Sequence, residues 1–324
     1  MGDPLARLDE VIDWSIFMPT LGRLEKDEAK GPGGRPSFAP LLKFKGMLIQ
    51  TLYNLSDAQL EYQITDRLSF KRFLGLTDAD KSPDEKTFWA FREQLKEQGL
   101  IDELFKVFQD QLEQEGVIAH KGQIVDASFV EVPRQHNTRD ENEKIKTGET
   151  PGDWAETPSK SRQKDVDARW TRKRGERHYG YKNHVNVDSK SKLIKRYVVT
   201  DASVHDSNAL DDLLKKGDPT TYLDSAYVGE RCENICAEKG VESKVIERAY
   251  RNKPLTKGQK KRNRAKSRVR VRVEHVFGTM VMCMRASWNR CIGKLRNAAM
   301  IGMTNLVYNL VRYEQIRRLN LQRW

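Results

Sequence analysis

Several features that would settle the class of this chain outright are missing. No apolar run approaches the roughly 20 residues needed to cross a bilayer, and mean hydropathy is −0.74. No contact with a membrane is therefore expected. Cysteine is scarce, with only Cys232, Cys236, Cys283 and Cys291 in 324 residues. Cys232 and Cys236 could share a helical face, but two thiols without a histidine pair make a weak zinc case. Reduced thiols in a cytoplasmic protein are the expectation. The opening residues, MGDP, lack the basic and apolar regions of a secretory leader. Acidic residues are missing from one long stretch: residues 251–272 hold eleven Lys and Arg and neither Asp nor Glu.

What is present is charge, unevenly spread. Net charge is +12, yet the first 120 residues carry 15 basic against 21 acidic side chains. The balance is −6 there and +18 over the remainder. A basic later part on an acidic front third points to a polyanionic partner, most commonly nucleic acid. The length suggests about two domains, placed at 1–118 and 119–324.

The front third reads as helices. Leu41, Leu42, Phe44, Leu48, Ile49, Leu52 and Tyr53 recur at helical spacing, and Ser56 caps a helix through Leu60 and Ile64. Ser82, with Pro83 and Glu85, reads as a capping box opening a helix through Phe88, Phe91 and Leu95. Residues 100–114 form another. Such a series is either a helix-turn-helix reader of DNA or a dimerisation module.

Residues 121–130 read as a buried strand, β-branched and apolar, with Asp126 near the middle. A carboxylate there is costly unless it is paired or metal-bound; otherwise it sits at a frayed end or caps a turn. Residues 131–177 form a polar insertion, too long for an ordinary structureless loop. Its end interleaves Arg169, Arg172, Lys173 and Arg174 with Trp170, which suits phosphate contact with base stacking or a solvated turn around one packed tryptophan. Residues 178–188 and 193–200 read as an antiparallel hairpin that includes Lys182. His184 and His205 are candidate ligands, or hydrogen-bonded structural groups and caps. A second strand then runs into Asp224, followed by a helix from Cys232 and a strand at 241–246. Strand, hairpin, helix, strand, helix, strand is the order of a mixed sheet flanked by helices, with ligands at strand ends.

Residues 251–272, with Lys260, Lys261, Arg262, Arg264, Arg268 and Arg270, are a phosphate-binding surface or a flexible basic loop. Val269, Val273, Val276, Phe277, Met280 and Met284 fit helical spacing better than an edge strand. On that helix Arg270 and Glu274 lie four apart on one flank.

Three stretches, IVDAS, YLDSAYVG and RVEHVFG, occur in that order with DARWTRKRG, HYGYKNHV and VVTDASVHDS between the first two. This series resembles the DDE transposases of bacterial insertion sequences, nearest the IS5 type within the IS4-like set. The likeness covers about the last two-thirds of the chain, and the SPDEKTFWAFREQL helix adds to it. The resemblance implies an α/β, RNase H-like mixed sheet flanked by helices and preceded by an all-α domain. It implies Asp126, Asp224 and Glu274 as catalytic carboxylates and metal ligands, the first two on neighbouring strands and the third on a later helix. Two Mg²⁺ ions per site are implied, with Mn²⁺ able to stand in. The partners implied are double-stranded DNA, as element ends and target, and a second copy of the chain on DNA. Relatives often carry a tyrosine and a lysine around the third carboxylate, where this sequence has Ser267 and Val281. A DNA-binding protein that has lost catalysis is the other function of this kind of chain.

Overall fold

The structure is a computed structural model and describes residues 2–24, 37–173, 175–251 and 253–322. The sheet is built outward from one strand. β1 (Gln123–Glu131) pairs antiparallel with β3 (Glu176–Asp188) along its whole length. On its other side β1 pairs in parallel with β5 (Thr221–Leu223), which pairs in parallel with β6 (Ser243–Val245). The outer edge of β3 is shared: β2 (Arg169–Lys173) takes its first residues and β4 (Ile194–Asp201) its last. This six-stranded mixed sheet flanked by helices is the RNase H-like fold.

Gly180 shows how closely the strands must fit. Its φ is +146°, and a Cβ there would lie 2.4 Å from the Val130 carbonyl oxygen. No side chain is tolerated where β3 turns from β2 toward β1.

The front third folds as a run of helices, including Pro40–Tyr53, Asp57–Asp66, Glu85–Glu97 and Leu100–Gln114. Ser56 caps Asp57–Asp66 in a capping box with Gln59. The next helix starts later than its sequence suggests. Asp84, not Ser82, is the cap, accepting from the Thr87 N–H at 2.8 Å. Aspartate is at least as good a cap as serine, and it stands directly before the first helical residue.

The apolar core is continuous from these helices to the sheet. Phe44, Phe88, Phe91, Leu104 and Phe108 belong to one cluster with Ile124, Val185 and Val187 of the sheet and Leu306 and Leu310. The last two lie on the C-terminal helix, Lys294–Arg318, which is zipped to the sheet by amides. Asn305 and Asn183 exchange hydrogen bonds at 2.8 and 3.1 Å, and Asn309 bonds both backbone groups of Ile194. Glu93 of Glu85–Glu97 forks onto Arg296 of the same C-terminal helix.

The polar insertion and the basic stretch both carry regular structure. The polar insertion contains the helices Arg139–Lys146, Gly152–Ala155 and Pro158–Ser161, and its end is strand β2. Fully buried Trp154, its Nε1 donating to Glu141, anchors it. Asp165 closes it, accepting from Tyr181 Oη at 2.8 Å and from the Gly293 N–H at 2.9 Å. Asp167 accepts from the Lys294 N–H, so the insertion holds the start of the C-terminal helix. The basic stretch is helical from Lys257 onward, part of a single helix Lys257–Met284 opened by a Thr256–Gln259 capping box. Val273, Val276, Met280 and Met284 bury one side of it. No helix among the described residues is long and apolar enough to cross a membrane.

Candidate active site

Asp126 lies mid-way along β1, on the face covered by the Lys257–Met284 helix. β1 and β5 are in register at Gln123–Thr221 and Ile124–Tyr222. Two residues further, that register sets Asp126 against Asp224. β5 ends at Leu223, so Asp224 stands at the strand's exit and caps the short turn Ser225–Tyr227, accepting from the Ala226 N–H at 2.8 Å. A β-strand positions one carboxylate and a strand end the other.

Their environment is electrostatically tense. Burial pushes the Asp126 carboxyl above its ordinary range, and neighbouring Asp224 pushes it further. Arg270, the Ala127 N–H and Lys173 pull the other way. Arg270 Nη2 donates to Asp126 Oδ2 at 2.6 Å, with both side chains mostly buried. Below the pair lies Tyr227, whose hydroxyl is buried with no partner among the described residues. Burial and the charges of Asp206, Asp126 and Asp224 raise its pKa well above the usual phenol value.

Glu274 stands four residues after Arg270 on the same helix, one turn further along. Its side chain is exposed. Among the described residues no three His, Cys, Asp or Glu side chains stand close enough together to hold a metal. Asp126 and Asp224 are thus neighbours at the β1–β5 edge, and Glu274 does not complete a three-carboxylate group with them.

The sequence-derived DNA contacts divide. Lys260, Lys261, Arg262, Arg264 and Arg268 are exposed along the first half of the long helix. Lys260, Arg264 and Arg268 form one i, i+4, i+8 stripe, whereas Arg262 forks onto Glu247. Trp170, Arg172 and Lys173 are exposed on β2, and the Arg134 guanidinium lies over the Trp170 ring. Lys182 is a correction. It is 7% exposed, and its ammonium is held by Asp206 at 2.8 Å and the Val204 carbonyl at 2.7 Å, so no phosphate reaches it. Arg169 is spent on the carbonyls of Val166, Ala168 and Ile145. Arg270 is spent on Asp126. Arg174 lies outside the described residues. His205 acts as a cap for Asp206–Ala209, and His184 bonds Thr200; the ligand reading of both gives way to the structural one.

A family model described as a transposase DDE domain matches residues 119–310, the whole sheet and the long basic helix. The chain is a DDE transposase of the insertion-sequence type. A second model, described as a transposase domain (DUF772), matches residues 1–94 of the transposase, its helical front. No solved structure matches the chain. Tyr227 lies close enough to Asp126, Asp224 and Asp206 to feel their charges, a neighbourhood that sequence reasoning missed. The only signal was that Tyr227 falls three residues after Asp224, on the same turn.

Proposed function

We propose that this transposase binds the terminal inverted repeats of its element, cuts the DNA there and joins the freed ends to a target. The observation that supports this reading is the closeness of Asp126, on β1, to Asp224, at the exit of the parallel strand β5. Glu274, one turn past the arginine that touches Asp126, supplies the third carboxylate. An all-carboxylate donor set is what a hard divalent cation takes. Asp126, Asp224 and Glu274 would hold Mg²⁺, two ions per site, or Mn²⁺ in its place. When bound, the ions activate water or a DNA 3′-hydroxyl and stabilise the leaving oxygen of an in-line displacement at phosphorus. Glu274 is exposed, so turning it toward the aspartates gives up no buried contact.

The chain's own residues provide the rest. The Lys260, Arg264 and Arg268 stripe neutralises backbone phosphates, and Trp170 offers a face for a base to stack on. Lys173, whose charge already acts on Asp126, draws the scissile phosphate toward the carboxylates. Pairing two element ends calls for two protomers, so the active species is a homodimer on DNA. A monomeric complex that joined both ends would refute that part.

Purified protein with labelled element ends, plasmid target and Mg²⁺ tests the reading. Asp126→Asn, Asp224→Asn and Glu274→Gln should each reduce nicking and joining to background while end binding persists. Cleavage at the wild-type rate by Asp126→Asn would overturn the site. Binding with no nicking by the wild type would instead make the chain a catalytically silent DNA-binding relative.

A further inference from the structure

The ion pair between Arg270 and Asp126 joins residues 144 apart in sequence. The two side chains are only 17% and 18% exposed. A carboxylate so withdrawn needs compensation. Asp126 receives it from the adjacent Ala127 N–H on one oxygen and the guanidinium on the other. The guanidinium is less well served. It makes a single bond rather than the fork arginine prefers with carboxylates, and its Nε is buried without a partner among the described residues. The inward-facing bases next to it are satisfied at backbone carbonyls: Lys266 at Val245 and Arg272 at Ser189, each at 2.6 Å. Of these three, Arg270 alone is placed on a carboxylate that the reaction needs.

We propose that Arg270 is a positioning residue that holds Asp126 as a stand-in cation and gives it up when a divalent ion enters, turning its guanidinium to a DNA phosphate. This rests on Asp126 being a metal ligand. Two positive charges at one carboxylate repel, so retaining the guanidinium and admitting the ion oppose each other. The coupling is reciprocal: whatever loosens the arginine tightens the ion. Because Arg270 and Glu274 share one helical flank, the arginine leaves on the side from which the glutamate closes.

Mn²⁺ binding to the full-length protein without DNA, followed by the free-ion electron paramagnetic resonance signal, tests this apart from activity. Arg270→Gln should bind Mn²⁺ about tenfold more tightly than wild type. Its metal-free melting temperature should fall and recover when Mn²⁺ is added. Arg270→Lys keeps the charge with a shorter hold and should lie between the two, and it gives the same comparison if the glutamine variant does not fold. Unchanged or weaker Mn²⁺ binding by a folded Arg270 variant would overturn the proposal. Asp126→Asn separates the two readings. If it abolishes Mn²⁺ binding while the Arg270 variants behave as wild type, only the arginine's role falls. If it leaves Mn²⁺ binding intact, the metal site falls as well.

Discussion

His184 sits in the middle of β3, fully buried, with Nε2 2.9 Å from Thr200 Oγ1 and Nδ1 unpartnered among the described residues. Burial drives its pKa from 6.5 down to about 4; Lys182 and Lys173 push the same way and Asp206 opposes them. The unfolded chain takes up this proton near 6.5, and the folded chain refuses it until about 4. The contribution is therefore whole above pH 6.5 and lost as pH falls between those values. His184→Gln should flatten that limb of the stability curve, measured by denaturant unfolding at several pH values. An equally steep fall in the variant would assign the proton to another group. At this scale the sequence was partly legible. Asp126 stood out because a lone carboxylate in a β-branched run is chemically odd. Lys182 misled because a basic residue in a basic region gives no sign of its buried partner 24 residues on. Tyr227 and the Arg270 contact were hidden for the same reason, since which polar atom ends up enclosed is decided by packing.

The helix Lys257–Met284 shows how little charge alone says about an element. A flexible loop is one of two readings open for its basic first half, and like charges at i, i+4 do oppose an isolated helix. The Thr256–Gln259 box, the Asn263 and Arg262 bonds to Glu247, and the buried valines and methionines further on outweigh that repulsion. The box was visible in the sequence; the bonds to Glu247 were not. Replacing Lys260, Arg264 and Arg268 together with Ala should leave the fold intact. It should also lower the log–log salt slope of DNA binding by about 2–3, and an unchanged slope would place the phosphates elsewhere. The C-terminal helix offers a second test. Asn305→Ala strands the buried Asn183 amide and should cost about 1–3 kcal/mol, whereas replacing both asparagines with leucine should cost less. A double-mutant cycle by urea unfolding would show additive losses if the pair were not coupled.

The whole molecule is less divisible than its charge suggests. The switch from acidic to basic near residue 120 marks a real change from helices to sheet, yet the apolar core runs straight through it. Residues 119–324 alone would expose the surface that Phe88, Phe91, Leu104 and Phe108 cover. That fragment should bind a hydrophobic dye and melt without cooperativity, while the full chain unfolds in one transition. A sharply melting fragment would show two independent units.

The two aspartates that tie the insertion to the start of the C-terminal helix have a mechanical consequence. A load applied at Trp170 by a held DNA strand passes along β2 to β3. It also reaches, through Asp165 and Asp167, the backbone N–H groups of Gly293 and Lys294. Such a load is thus shared with a clasp whose two bonds span 128 and 127 positions of sequence rather than left to a loop's own stiffness, and severing that clasp would let the insertion yield under strain.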